Sequence, residues 1–271
     1  LLNKLSGIMA KMPSIYLLDA EVKLKLNQIA LAESDLNKLI AHLPNEPKAY
    51  QMLAMIASRR GDNDRAVAML EHARQLAPKD VQILALLGQS YLSRGELGKA
   101  KEVFDQAVLL SPHDQRLQTA HAISQFATGD AQAAISQLSG IFKGGAGNLI
   151  AGPPLAFEAL RSGRLDLAAA TAGALVRRDP ANLVNQQLLA IVRVAQHNYP
   201  AAEVILRSIL EKQPGQVTSR NNLVQVYMLM NRPSDARKLL QDGLQKNPDA
   251  AMIQAFADFD MRTKNYPEAL S

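Results

Sequence analysis

The sequence predicts an all-α solenoid of tandem 34-residue helix–turn–helix repeats, on three observations. Pro44, Pro78, Pro112, Pro180, Pro214 and Pro248 occupy one lattice with a period of 34, broken once, at Ala146. Ala32, Ala66, Ala100, Ala134, Ala168, Ala202 and Ala236 recur in phase with no gap. Asn27, Gly61, Gly95, Gly129, Gly163, Asn231 and Asn265 mark a third column, with His197 as its exception. A fixed period of this size is the signature of stacked repeats, each burying its apolar face against its neighbours.

With the proline at position 32, seven repeats run 13–46, 47–80, 81–114, 115–148, 149–182, 183–216 and 217–250. Residues 1–12 read as the second helix of a preceding repeat, with Leu2 and Leu5 at its positions 24 and 27. Residues 251–271 read as a partial eighth repeat. These ends predict a fragment of a longer array whose apolar end faces stack against another copy. Within a repeat, the first helix is seen best in the third, where Leu84, Leu87, Tyr91 and Leu92 share one face at helical spacing. It ends at position 15, where Gly and Asn tolerate the left-handed backbone of a helix terminus. In the sixth repeat Asn198 is expected to take that role from His197. The second helix follows, with Val103, Phe104, Ala107 and Val108 on one face. Position 8 is small in six repeats (Ala20, Ala54, Gly88, Ala122, Ala156, Ala190) and faces the alanine of position 20, so the two helices approach closely. The proline then stops the second helix, lacking an N–H and pushing the preceding residue out of the helical region. The fifth repeat is irregular. Residues 143–154, KGGAGNLIAGPP, lose the lattice proline and place Pro153 and Pro154 where a first helix should already run. That helix is expected to start about one turn late, near Pro153. The segment reads as a degenerate repeat that still stacks or as a hinge.

Composition supports the core and narrows the chemistry. Hydrophobic residues make up 48% of the chain, aromatics only 4%, and Trp is absent, so the core is built from Ala, Leu, Ile, Val and Met. Thirty Lys and Arg stand against 25 Asp and Glu, a formal +5. They are spread evenly, with no basic stripe to track a nucleic acid, and no nucleic-acid partner is predicted. The absence of Cys excludes disulfides and thiolate metal ligands. No apolar run approaches the ~18 residues of a membrane span. His42, His72, His113, His121 and His197 form no ligand spacing. No phosphate loop or nucleophile elbow is present, and the glycines at 144–147 lack the strand and Lys-Ser that a phosphate loop needs. Carboxylates are read as lying on solvated helix faces. No catalytic residue, metal or cofactor is predicted, and His121, at the interior position 7, is expected to be a packed side chain.

The columns resemble the tetratricopeptide repeat family, which favours a large residue at position 4, Leu at 7, Gly or Ala at 8, Tyr at 11, Ala at 20, Phe at 24, Ala at 27 and Pro at 32. The third repeat gives Leu84, Leu87, Gly88, Tyr91, Ala100, Phe104, Ala107 and Pro112. Position 4 departs from the pattern at Gln118, Gly152, Gln186, Arg220 and Gln254. The resemblance implies a right-handed superhelix. Its first helices line a concave groove through positions 2, 5, 9, 12 and 13. In this sequence that lining is Lys48, Gln51, Met55 and Arg59; then Gln82, Ala85 and Gln89; then Arg116, Thr119, Ile123 and Phe126. Phe157, Arg161, Gln187, Ile191, Val194, Thr218, Asn221, Gln225 and Met228 continue it. Amides among Met, Phe and Ile suit the backbone and side chains of an extended peptide. The family's carboxylate clamp is not matched, because Gln187 and Ile191 stand where Lys and Asn are needed ahead of Asn222. Residues 151–210 also resemble the repeat lipoproteins of bacterial exosortase (PEP-CTERM) systems, which implies a periplasmic or cell-envelope location. Three roles follow: a non-enzymatic scaffold holding a protein or peptide in the groove, an envelope assembly or secretion accessory, or a substrate-recruiting array detached from a catalytic domain.

Overall fold

A computed structural model of the chain describes residues 12–144, 149–246 and 250–262. Among the described residues there are fifteen α-helices, one short 3-10 turn and no strand. They fall in pairs on the 34-residue lattice. The first three repeats contain α1 (Ser14–Lys25) and α2 (Ile29–His42), α3 (Pro47–Arg59) and α4 (Asn63–Leu76), and α5 (Val81–Ser93) and α6 (Leu97–Leu110). The fourth contains α7 (Gln115–Ala127) and α8 (Ala131–Lys143). A 3-10 turn (Leu149–Ala151) precedes α9 (Gly152–Arg161) and α10 (Leu165–Arg178). Next come α11 (Leu183–Ala195) and α12 (Tyr199–Lys212), α13 (Val217–Leu229) and α14 (Pro233–Lys246), and finally α15 (Ala250–Arg262). The chain divides into two compact bodies, Leu1–Gln137 and Leu138–Ser271, with the boundary inside α8. In each body a second helix packs on the first helix of its own repeat and of the next, as α4 does on α3 and α5, and α12 on α11 and α13.

Local chemistry fixes the helix ends. Every described residue of the position-15 column is left-handed, from Asn231 at φ 55° to Gly129 at φ 98°. His197 joins them at φ 58°, which corrects the expectation that Asn198 would take over. Asn198 instead caps α12, accepting from the Ala201 N–H at 3.2 Å. Asn265 lies outside the described residues. At the other end of five repeats, the residue before the lattice proline has left the helical region. Leu43, Ala77, Ser111, Asp179 and Gln213 all have φ between −131° and −140° and ψ between 70° and 83°. That is the backbone a following proline imposes. Asp80, Asp114 and Asn182 then cap the next first helix, each accepting two backbone N–H groups.

The small residue of position 8 is needed where the sequence places it. A Cβ on Gly88 would meet the Phe104 ring at 2.7 Å. The ring at position 24 of the third repeat thus fills the space a methyl group would take, and both residues are buried. In the fifth repeat, α9 begins at Gly152 with Pro153 and Pro154 in its first turn and runs ten residues against thirteen for the other complete first helices from α3 on. The 3-10 turn at Leu149–Ala151 stands in place of the missing turn. Gly152 is required there, since a Cβ would meet Leu175 at 2.7 Å and Phe142 at 2.8 Å. Residues 145–148 of the irregular segment, and the end segments 1–11 and 263–271 with their expected partial helices, lie outside the described residues.

Position 4 has a shared task in four repeats, and in three of them the residue departs from the family pattern. Tyr50 Oη donates to the Pro44 carbonyl at 2.9 Å. Gln118 Nε2 and Gln186 Nε2 donate to the Pro112 and Pro180 carbonyls at 2.6 Å. Arg220 donates from Nη2 to the Pro214 carbonyl. In four repeats a long side-chain donor therefore ties a first helix to the proline that ended the previous one. Arg220 also needs room, which Gly243 provides at position 27; a Cβ there would meet its guanidinium at 2.9 Å.

Candidate functional site

The first-helix columns named from the sequence separate by burial. In the first body Met55, Arg59, Gln82, Gln89 and Arg116 are exposed, while Lys48, Ile123 and Phe126 are half-buried. Gln51 and Thr119 depart from the expected lining. They are 4% and 5% exposed, and the Thr119 hydroxyl donates back to the Gln115 carbonyl. Gln187, at the same position 5 in the second body, faces the seam with the next first helix. Its Nε2 donates to Ser219 Oγ in the next repeat at 2.8 Å and to Oε1 of Gln216, the last residue of its own repeat, at 3.4 Å. Phe157, Arg161, Ile191, Asn221, Gln225 and Met228 are exposed in the second body.

Each body brings some of these residues together. In the first, a cleft of about 260 Å³ lies between α3 and α5, with Met55, Arg59 and Gln89 in its wall. Ala54, Leu70 and Leu86 give it an apolar side, and Ser58, Ser90, Ser93 and Asn63 a polar one. The sequence reading missed the serines, whose signal is their place at positions 10, 12 and 13. In the second body a smaller cleft of about 90 Å³ joins Ile191 and Val194 to Asn222 and Gln225, across α11 and α13. A wider opening of about 480 Å³ lies among α12, α13 and α14, over Arg220 and Gly243. Its walls alternate Arg207 and Lys238 with Glu211, Asp235 and Asp242, so it favours no ligand charge.

Charged side chains elsewhere serve the fold. His121 is packed among Asp105, 2.6 Å from Nε2, and Gln137, 3.2 Å from Nδ1. Burial alone would raise the Asp105 carboxyl, but hydrogen bonds from Lys101 and His121 outweigh it and hold it below its ordinary value. Three carboxylates correct the expectation of solvated faces: Asp35, Glu158 and Asp260 are all buried. Asp35 lies against Lys23 and Lys38. Asp260 takes a two-pronged bond from Arg237 at 3.0 and 3.3 Å. Glu158 is only 8% exposed and its Oε2 has no hydrogen-bond partner. Burial pushes its carboxyl up, and Arg161, 3.9 Å away, only partly offsets that. Among the described residues no group of His, Asp and Glu is placed to hold a metal, and no helix is long and apolar enough to cross a membrane.

The tetratricopeptide repeat model matches residues 57–124 and 193–258. A tetratricopeptide repeat protein from Parabacteroides merdae ATCC 43184 aligns with a TM-score of 0.72 at 14% identity, over 92% of this chain and 98% of that one. The chain has the tetratricopeptide-repeat fold. PilW, a widely conserved type IV pilus biogenesis factor, is similar with a TM-score of 0.64 at 17% identity, covering 77% of this chain and 97% of PilW. Yeast Tom70 gives 0.63 at 14% identity over 87% of this chain and 51% of its own. At such identities the likeness is one of fold alone. No curated protein matches the chain.

Proposed function

We propose that the chain is a binding scaffold without catalysis of its own, and that its first-helix face captures a segment of a protein partner. One observation carries the reading. In each body, apolar and amide side chains of adjacent first helices converge on a cleft, Met55 with Gln89 and Ile191 with Gln225, while the second helices keep their apolar faces in the core. Exposed apolar groups beside unpaired amides suit an extended backbone with side chains seated between helices. The likeness to tetratricopeptide repeat proteins supports a protein-interaction role.

The test is affinity capture from the source lysate with the wild-type chain and with two controls, Met55→Glu with Gln89→Arg, and Ile191→Glu with Gln225→Arg. All four side chains are exposed, so the controls should keep their helical signal by circular dichroism. One or a few proteins lost from either control support the reading. A set of captured proteins indifferent to both controls defeats it. That second result would favour the alternative of an envelope assembly component acting through another surface.

A further inference from the structure

We propose that the cleft between α3 and α5 takes an acidic–apolar stretch of a protein partner, with one apolar side chain entering the cleft and a neighbouring Asp or Glu pairing with Arg59. This rests on the first-helix face being the binding surface, and adds the chemistry of what it binds.

One cation on this face lacks a carboxylate. Arg59 is exposed on the wall of the cleft and has no ion pair. The acids around this end of α3 are already committed. Arg60 and Arg65 share Glu33 at 2.5 and 2.8 Å, and Arg94 holds Asp64 at 3.3 Å and Glu96 at 2.8 Å. Asp62 accepts the Arg65 N–H as a helix cap. Only Arg59, among the arginines between residues 59 and 94, is left facing solvent with nothing to pair with.

The surroundings have the same sign. In repeats two to four, positions 2, 5, 9, 12 and 13 of the first helices hold Lys48, Arg59 and Arg116 and no Asp or Glu. Lys48 and Arg116 carry no ion pair either. No carboxylate lines the cleft. An anionic occupant therefore meets no carboxylate in the cleft wall, and a guanidinium can grip a carboxylate through two parallel N–H donors. The cleft itself argues against a bare anion. Its inner wall is Ala54, Leu70 and Leu86, and about 260 Å³ is below the ~300–1,000 Å³ of small-molecule sites, a size for one side chain. Ser58, Ser93 and Gln89 at the rim supply donors and acceptors for the adjoining main chain.

The experiment is selection from a random-peptide phage library on the immobilised chain, in parallel with Arg59→Glu and Met55→Glu variants checked for helical signal. Enriched sequences should place Asp or Glu beside Leu, Met or Phe. A synthetic copy should bind Arg59→Glu about tenfold more weakly, recover in part with Arg59→Lys, and weaken as salt rises. Enriched peptides without acidic residues, or acidic ones indifferent to Arg59→Glu, would overturn the proposal and leave groove capture standing. Equal binding when the apolar residue is changed to Ser, or equal competition by a single-stranded oligonucleotide of matched charge, would overturn it too, since the cleft would then play no part. Enrichment of nothing on the wild-type chain would sink both this proposal and the scaffold reading.

Discussion

A glycine and a glutamate show how much rides on single positions in a repeat. Leu70 and Leu206 stand at position 24 opposite Ala54 and Ala190, whereas the third repeat pairs its aromatic, Phe104, with Gly88. The methyl of Gly88→Ala would lie 2.7 Å from that ring in a buried site, so the variant should lose about 1–3 kcal/mol in urea unfolding. Phe104→Leu in the same chain should recover most of the loss, because it recreates the pair of the second and sixth repeats. A Gly88→Ala midpoint equal to wild type would refute the fit. Glu158 is the opposite case, a side chain the fold tolerates at a cost. Position 10 holds Ile56, Val192 and Val226 in other repeats, all buried. Glu158→Leu should therefore stabilise the chain by about 1–2 kcal/mol at neutral pH, the cost of a buried charged group short of a partner. The sign with pH is definite. A carboxyl raised by burial above its ordinary 4.5 favours the folded state when protonated, and that contribution fades as pH climbs through the raised value. The advantage of Glu158→Leu should thus shrink as pH falls to about 4.5 and below. Thermal melts of both proteins across that range decide it; an advantage independent of pH would mean the charge is not the cause.

Between elements, the recurring bond from position 4 to the proline carbonyl behaves as a clasp between repeats. Tyr50, Gln118, Gln186 and Arg220 make it with three different donor groups. Gln186→Ala should leave the Pro180 carbonyl without that partner and cost about 1 kcal/mol, while Gln186→Arg, by analogy with Arg220, should cost less. Equal losses in the two variants would mean that shape, not the hydrogen bond, holds the junction. This clasp marks a boundary of what the sequence reveals. Helix ends were legible because their causes are local: a proline fixes the residue before it, and Asn or Gly accepts the left-handed turn. Tyr, Gln and Arg share no hydropathy, only reach and an N–H or O–H, so position 4 looked like a departure from the pattern. Gln51 and Thr119 went astray for a related reason. Whether position 5 faces solvent or the next first helix depends on how adjacent repeats are rotated, which periodicity within one helix does not contain. The cleft residues Met55, Arg59 and Gln89 were legible by column; Ser58 and Ser93 stand in groove columns too, at positions 12 and 13, but a small hydroxyl there stands out only once its neighbours are placed.

Among the described residues, the main packing between elements joins helices one or two apart in order. The core is correspondingly segmented. One buried cluster runs from Tyr16 to Ile56, another from Ala54 to Leu117 and a third from Ala190 to Phe259. Such a chain has a stability made of repeat terms and nearest-neighbour terms, so damage should travel only as far as the adjoining repeat. A chain truncated after Pro214, without the seventh repeat, tests this. Amide hydrogen exchange in α3 to α6 should match the full chain, because none of the packing partners of those helices is removed. Protection in α12 should fall, because it loses α13, whose Leu223 and Tyr227 share a cluster with Leu206 and Ile209. A globular protein with one core would instead lose protection throughout. If α3 to α6 exchange faster in the truncated chain, cooperativity extends across both bodies, and a ligand seated at the cleft near Arg59 would then stabilise the second body as well as the first.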